Sequence, residues 1–216
     1  MRVEDFEQAM DVMFWGVFHT IWSTLPHVRQ RRAGKIVTIT SVGGKVPVPH
    51  LLPYSCAKFA AVGLSEGLRT ECAPWGIRVL TVVPGLIRTG SHTRAQFVGR
   101  HEREFAWFGL GATLRGIAMS SERASNQIIH AMRTGKSHRI LKASAQVATR
   151  LHGAFPELSG AVAELVNRFL LPSAEGGDQK PMSGIEAKRK LGSRLHRAIT
   201  ALGRRAGNQL NENVAK

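Results

Sequence analysis

Three polar side chains, Ser41, Tyr54 and Lys58, have the types and spacing that proton transfer requires. A free phenol has a pKa of about 10, which makes it a weak acid–base group at neutral pH. A nearby ammonium favours the phenolate and lowers that pKa. Lys58 follows Tyr54 by one helical turn, so on a helix the two side chains share a face. On such a helix we expect Lys58 to lower the pKa of Tyr54, the only tyrosine of the chain, so that the phenol could act as an acid–base group.

The elements around these residues predict a parallel strand–helix–strand unit. A β-branched run at 35–40 is typical of a buried strand, and the serine follows it directly. Residues 54–74 carry the tyrosine and the lysine, and their small and apolar side predicts a long helix. A second apolar run at 76–83 ends at Pro84. Two parallel strands joined by a helix form a crossover connection, which is right-handed by default.

Taken together, Ser41, the run Tyr54-Ser-Cys-Ala-Lys58 and the run Pro84-Gly-Leu-Ile-Arg-Thr89 resemble the short-chain dehydrogenase/reductase family. The similarity extends over about residues 5–142, and more loosely to residue 171. It implies an NAD(P)-dependent oxidoreductase that interconverts an alcohol and a carbonyl by hydride transfer. Ser41 would hold and polarise the substrate oxygen, Tyr54 would be the acid–base group, and Lys58 would also bind the nicotinamide ribose. Each residue by itself has an ordinary structural explanation, but their joint spacing favours the catalytic one.

The same resemblance implies a set of residues that contact the cofactor, NADP or NAD. Thr89 and the backbone near Ile87 would hold the carboxamide of the nicotinamide. The complete predicted cofactor set is Tyr54, Lys58, Pro84, Gly85, Ile87 and Thr89. The substrate would be a small-molecule alcohol or carbonyl.

The implied fold class is α/β, a partial Rossmann-like, doubly wound domain of parallel strands with flanking helices. Family members begin with a strand and a glycine-rich turn that cradles the cofactor pyrophosphate. The predicted first element here is instead a long helix over 3–30, so we expect an N-terminally truncated chain that lacks the nucleotide-binding half. Gly43 and Gly44 follow the wrong strand to replace that turn. Met13 stands where the family pattern has an asparagine of the catalytic tetrad, and a thioether cannot donate the same hydrogen bonds.

Composition shifts predict two regions, 1–171 as the family portion and 172–216 as a basic linker and tail. Within the first, 91–117 appears irregular in sequence, and its aromatic residues would form either a substrate lid or a packed loop. Further elements are predicted as a helix to about 134, a strand over 138–142, and one or two helices to about 170. In the tail, an apolar stripe predicts either an amphipathic helix that contacts a membrane or partner, or a solvated tail, which we favour. Its members are Ile185, Leu191, Leu195, Ala198, Ile199 and Leu202.

The formal charge of +15 would attract nucleic acid, anionic lipid or phosphorylated cofactors. No nucleic-acid motif accompanies it, so we expect no nucleic-acid partner. The nine histidines show no metal-binding spacing, which predicts no metal site. Cys56 and Cys72 are too far apart on one helix for a disulfide, and the first residues lack a signal pattern. These features predict a cytoplasmic protein.

Two functions compete at this point. The first is the oxidoreductase activity described above. The second is a catalytically inactive remnant that acts as a dimerising or interaction module. In the family the two long helices pack against their copies in a neighbouring subunit, so the segments 3–30 and 54–74 predict a homo-oligomer for either function.

Overall fold

The computed structural model describes residues 1–113, 117–169, 171, 178–192, 200, 206, 209 and 210. Helices alternate with short strands along the chain, which confirms the α/β class that the sequence predicts. The chain divides into two compact units. The sheet unit comprises Arg2–Gly85 and Ser125–Ala163, and the aromatic unit comprises Met1, Leu86–Ala124 and Glu164–Lys216.

A parallel sheet of three strands, in the order β1-β2-β6, forms the centre of the sheet unit. The strands are β1 (Gly34–Ile39), β2 (Ile77–Pro84) and β6 (His138–Leu141). The three predicted strands are therefore confirmed to within a residue or two. Among the described residues β1 pairs on one side only, and its last residue, Ile39, is 47% exposed. β1 is therefore an edge strand of the described sheet.

The helices of the sheet unit also follow the predicted segments. The long first segment is continuous but contains one π-helical turn at Asp11–Trp15, where the sequence predicts regular helix. The helix predicted over 54–74 begins two residues earlier. The bounds are α1 (Val3–Met10), α2 (Gly16–Gln30), α3 (Leu52–Cys72), α5 (Ser121–Arg133), α6 (Ala143–Ala154) and α7 (Pro156–Phe169), with the ends of α5 and α7 assigned to the other unit.

The core of the sheet unit lies between α3 and the strands. Seven of the eight residues of β2 are buried, as expected for a strand covered on both faces. Cys72, at the end of α3, packs with Ile77 and Val79. A buried hydrogen bond of 2.7 Å joins the hydroxyls of Ser65 on α3 and Thr81 on β2. The Ser65–Thr81 bond ties α3 to the middle strand.

The aromatic unit is built around a pair of antiparallel strands, β4 (Gln96–Gly99) and β7 (Asp178–Ser183). The helices α4 (His101–Thr113) and α8 (Gly184–Leu191) pack together beside this pair. A short parallel pair, β3 (Ile87–Arg88) and β5 (Met119–Ser120), completes the unit. The prediction that 91–117 is irregular was therefore wrong.

The aromatic residues of this region form a packed cluster. Phe105 is 1% exposed, and its ring meets that of Phe97 edge to face at 5.8 Å between centroids. Ala187 of α8 is buried against these two rings. Of the two interpretations of the aromatic residues, lid or packed loop, the structure supports packing.

The preference for a solvated tail was wrong for 178–191, because β7 pairs with β4 and α8 packs on α4. The reason is a tertiary partner that sequence periodicity does not reveal. Ile185 and Leu191 lie in α8, whereas the other four members of the predicted stripe, and the linker residues 172–177, lie outside the described residues. No helix among the described residues is long and apolar enough to cross a bilayer.

Candidate active site

Ser41 is held at the end of β1 by bonds on both sides of it. The backbone N–H and the side-chain hydroxyl of Thr40 both donate to the Val82 carbonyl on β2, at 2.8 and 2.7 Å. Ser41 itself is extended and caps the 3₁₀ turn that follows, with its Oγ accepting from the Gly43 N–H at 3.1 Å. The hydroxyl that the sequence singles out is therefore fixed at the carboxyl end of a strand, where open parallel sheets bind ligands.

Tyr54 and Lys58 lie one turn apart near the start of α3, as predicted. The Ser41 hydroxyl lies near enough to the Tyr54 phenol to lower its pKa through hydrogen bonding. The Lys58 Nζ lies 5.8 Å from the centroid of the Tyr54 ring. The structure therefore brings together all three residues that the sequence assigns to catalysis.

The predicted lowering of the Tyr54 pKa by Lys58 is not observed. Burial raises the pKa of Tyr54, and the hydrogen bond from Ser41 opposes this only in part. Burial lowers the pKa of Lys58. The physical reason is that both groups lose water, and desolvation disfavours the charged form of each.

Gly43 and Gly44 have a role that sequence analysis missed. A Cβ at Gly43 would lie 2.9 Å from Cε1 of Tyr54, and a Cβ at Gly44 would collide with the Lys58 carbonyl. The turn after β1 can press against α3 only because both side chains are absent. The two glycines therefore set how closely Ser41 approaches Tyr54 and Lys58. The only sign of this role in the sequence is the position of the two glycines beside Ser41. That position predicts a turn, but it does not predict that the turn packs against α3.

A second contact fixes the same loop to α3. The Lys45 Nζ donates to Glu66 Oε1 at 2.6 Å, and His138 Nε2 lies 3.6 Å from that oxygen. Glu66 thus joins the loop after Ser41 to α3 and to the first residue of β6. Sequence analysis did not identify this cluster, because its members come from three separate segments.

Met13 lies in the π-helical turn, which packs against α3. π-Helical turns insert one extra residue into a helix and are frequent at functional sites. Here the turn is present but the side chain is a half-buried thioether. Met13 therefore occupies a position in the structure at which the family pattern has an asparagine, and its side chain cannot make the same hydrogen bonds.

The predicted cofactor residues of the second motif fall in both units. Pro84 and Gly85 end β2 in the sheet unit, and Gly85 lies beside Ala145 of α6. Ile87 begins β3, and Thr89 follows it, in the aromatic unit. The Thr89 hydroxyl donates to Ser91 Oγ at 2.8 Å and accepts from the Ser91 N–H at 3.2 Å. In this structure Thr89 therefore forms a local turn.

Comparison with known proteins shows which family this chain resembles. The family model for "short chain dehydrogenase" matches residues 1–96, which include Ser41, Tyr54 and Lys58. Over these residues the chain is similar to the short-chain dehydrogenase family. Its relatives include 3-ketodihydrosphingosine reductase of Bacteroides thetaiotaomicron, 40% identical over 87 residues, which are 40% of this chain and 32% of that protein. The putative oxidoreductase SadH of Mycobacterium tuberculosis is 36% identical over 138 residues, 62% of this chain and 49% of that protein.

Solved structures of short-chain dehydrogenases have the same fold as this chain. A short-chain dehydrogenase of Streptomyces avermitilis aligns with a TM-score of 0.62 and 25% identity, over 77% of this chain and 63% of that one. A short-chain dehydrogenase of Sphingobium yanoikuyae, solved with NADPH, aligns with a TM-score of 0.55 and 23% identity, over 80% of this chain and 61% of that one. The fold is Rossmann-like. The chain spans about a third to a half of the length of the curated relatives that it matches.

Proposed function

We propose that this chain carries the proton-transfer and nicotinamide-binding portion of an NAD(P)-dependent oxidoreductase that interconverts a small alcohol and a carbonyl. The observation that carries the proposal is the cluster of Ser41, Tyr54 and Lys58, in which a half-buried tyrosine lies beside the Ser41 hydroxyl and beneath an ammonium. Three polar groups that converge at the carboxyl end of a parallel strand are an arrangement that catalysis explains better than stability does.

The raised pKa of Tyr54 keeps the phenol protonated at neutral pH. A protonated phenol suits the reductive direction, in which Tyr54 donates its proton to the carbonyl oxygen as that oxygen gains negative charge. The Ser41 hydroxyl would donate a second hydrogen bond to the same oxygen and stabilise the developing charge. The nicotinamide, when bound, supplies or accepts the hydride.

The residues present fit the nicotinamide ribose. Lys58 is half-buried, and in the part of the chain that the structure describes no carboxylate pairs with its ammonium. A desolvated, unpaired ammonium is stabilised by a ligand that brings hydroxyl oxygens. Lys58 and Tyr54 would hold the ribose, with Pro84 and Gly85 at the end of β2. That Ile87 and Thr89 hold the carboxamide stays a prediction from the family resemblance.

The glycines after Ser41 do not fit a phosphate. Both face α3 so closely that a methyl group would collide with it. We therefore assign the chain to the nicotinamide end of the cofactor, NADP or NAD. Two short-chain dehydrogenases of this fold, from Burkholderia cenocepacia and Sphingobium yanoikuyae, were solved with NADP and NADPH. These complexes support a nicotinamide cofactor for this chain.

Titration of the purified chain with NADPH and NADH, followed by nicotinamide fluorescence, tests the proposal. We expect saturable binding that Lys58→Met weakens at least about tenfold, because one charged hydrogen bond is lost. Glu71→Gln, at an exposed position on the same helix, serves as the matched control and should bind like the parent. Absence of binding by a folded chain would refute cofactor binding by this polypeptide.

Turnover is tested separately on a panel of carbonyl substrates. Tyr54→Phe keeps the ring and removes the proton donor, so we expect a rate loss of about 10²-fold or more. Circular dichroism should show the parent fold. Retention of activity by this variant would remove Tyr54 from the mechanism.

A second candidate function, a dimerising module, is favoured by a row of aromatic rings on the first helical segment. Neighbouring rings of Phe14, Trp15, Phe18, His19 and Trp22 lie 5.0–6.3 Å apart between centroids. Trp22 is 61% exposed although it is large and apolar. An exposed aromatic surface of this kind is typical of an interface. We propose that it pairs with a second copy, with α3 contributing alongside it.

Sedimentation of the chain with Trp15→Ser and Trp22→Ser tests this pairing. We expect the parent to be a dimer or larger and the variant a monomer. A monomeric parent would contradict it.

The free cysteines Cys56 and Cys72 support the cytoplasmic location that the sequence predicts.

A further inference from the structure

One face of α3 carries a row of four side chains that begins at the reactive tyrosine. Its members are spaced by four residues, which places them one above the other along a helix. They are Tyr54, Lys58, Val62 and Glu66. At about 1.5 Å per residue, the row extends about 18 Å from its first member towards the end of α3. We call this set the α3 row.

Three consecutive residues of the turn after β1 meet this row in order. Gly43 lies against the first member, since a Cβ there would be 2.9 Å from Cε1 of the tyrosine ring. Gly44 lies against the second and third members, where a Cβ would meet the lysine carbonyl and the valine methyl. Lys45 reaches the last member, with its Nζ donating to Oε1 of Glu66 at 2.6 Å. The turn therefore lies along the α3 row, and each of its residues has a defined place on it.

Ser41 and Lys45 belong to the same hydrogen-bonded turn. The Ser41 carbonyl accepts a 2.9 Å bond from the Gly44 N–H, and the Val42 carbonyl accepts 2.9 Å bonds from the next two N–H groups. These bonds join the two ends of the turn, so a displacement of Lys45 along the helix carries Ser41 with it. The place of the lysine on the α3 row therefore sets the place of the serine relative to the phenol.

The contact at the far end of the row is a directional bond, whereas the two glycine contacts are only close approaches. A charge-assisted hydrogen bond between Lys45 and Glu66 fixes both a distance and a direction. The two side chains are 23% and 40% exposed, and ion pairs exposed to this degree contribute little to the free energy of unfolding. Placement of the turn therefore explains a short bond at this point better than stability of the fold does.

We propose that Lys45 and Glu66 are positioning residues, whose ion pair sets the register of the turn on the α3 row and thereby places the Ser41 hydroxyl beside the Tyr54 phenol. Without the pair the turn can slide along the row, because its two glycines have no side chains to resist the movement. What Ser41 then does to a substrate rests on the proposed function. Its placement beside the phenol is a property of the chain alone.

A single nuclear magnetic resonance signal reports this placement, because Tyr54 is the only tyrosine of the chain. The full chain is isotope-labelled at tyrosine Cζ and observed at pH 7 without cofactor. Lys45→Met removes the donor and Glu66→Leu the acceptor, and each should move the signal towards that of free tyrosine in water. Lys45→Arg keeps the charge and should keep the parent signal. Lys136→Met, at an exposed lysine of the same unit, is the matched control.

The double variant and the kinetics separate positioning from a loss of structure. Lys45→Met combined with Glu66→Leu should act like either single change, because both remove one contact. Each single variant should lower kcat by about tenfold, since Ser41 is misplaced, and change the Kd of NADPH by less than about twofold. Urea unfolding should show nearly the parent stability for each.

An unmoved tyrosine signal in Lys45→Met would overturn the proposal, because the turn would keep its place without the pair. Equal movement of the signal in Lys45→Arg or in Lys136→Met would also overturn it and would assign the change to side-chain shape or net charge. Additive effects in the double variant would show that the two residues act separately. A parent that neither binds NADPH nor reduces a carbonyl would refute the oxidoreductase function, while the tyrosine signal still decides the placement.

Discussion

The sheet unit and the aromatic unit are stabilised by different kinds of core. In the sheet unit the buried surface is spread along β2, whose side chains are of moderate size and almost all covered. In the aromatic unit the core depends on a few rings, chiefly Phe105 and Phe97 packed on Ala187. A spread core tolerates a local change, whereas a core of few large side chains depends on each of them. The reactive cluster lies on the unit whose core is spread.

Among these variants, truncation of Phe105 should lower the free energy of unfolding most. A small effect would contradict the view that the core of the aromatic unit depends on a few rings. Phe105→Ala removes the largest fully buried side chain among the described residues and should destabilise the aromatic unit by about 3–5 kcal/mol. Deuterium exchange by segment is the measurement: β4, α4 and α8 should lose protection. Phe59→Ala, at a ring that is 40% exposed on α3, is the control and should cost less than about 1 kcal/mol. Equal loss of protection in β2 would mean that the two cores unfold as one.

Substitution of Gly44 should give the second largest loss of stability. We expect this loss only in the sheet unit. Gly44→Ala places a methyl group against the Lys58 carbonyl, and the forced shift should cost about 1–3 kcal/mol. Gly67→Ala is the matched control, because a Cβ at that position on α3 meets no atom within 4 Å. That control should stabilise the protein by about 0.5–1 kcal/mol, since alanine is the better helix former. Urea unfolding of the two variants measures both signs, and a neutral Gly44→Ala would disprove the close approach.

Replacement of Lys58 separates function from stability within the sheet unit. Burial lowers the pKa of Lys58, so the charged form is less stable in the folded protein than in the unfolded chain. Lys58→Met should therefore raise the free energy of unfolding at pH 7 by up to about 1 kcal/mol, while it weakens nicotinamide binding. In the parent, stability should rise with pH towards the unfolded pKa of lysine, because the unfolded chain binds more protons there. Thermal unfolding between pH 7 and 10 is the test, and a destabilised Lys58→Met would show that the ammonium has a favourable partner.

The smallest expected effect concerns His138 at the start of β6. Burial first, and then the charges of Lys45 and Arg69, hold the pKa of His138 below its usual value, while Glu66 raises it. Because the unfolded histidine gains its proton at about pH 6.5, the contribution of His138 to stability is present above that pH and lost as the pH falls below it. His138→Gln should flatten the stability profile between pH 7 and 5 by less than about 1 kcal/mol. An unchanged profile would assign acid sensitivity to other groups.

Local signals along the chain predicted much of the sheet unit. The β-branched runs became β1 and β2, and the periodic segments became α2 and α3, because period and burial agree wherever a strand or helix packs on a nearby neighbour. The same signals failed for 91–117 and 178–191. There, Gln96 pairs with Ser183, and neither segment contains a sign of its distant partner.

The sequence by itself determined the reactive residue types, their order, and the spacing that places Tyr54 and Lys58 on one helical face. Those properties are local, since they depend only on the period of a helix and the end of a strand. The tertiary structure alone decided that Gly43 and Gly44 press against α3, that burial raises the Tyr54 pKa, and that α6 exposes its apolar residues Val147 and Leu151. These three properties depend on what surrounds a residue: how closely a neighbour approaches, how much water is lost, and which side of a helix is covered. They are set only when distant segments pack together.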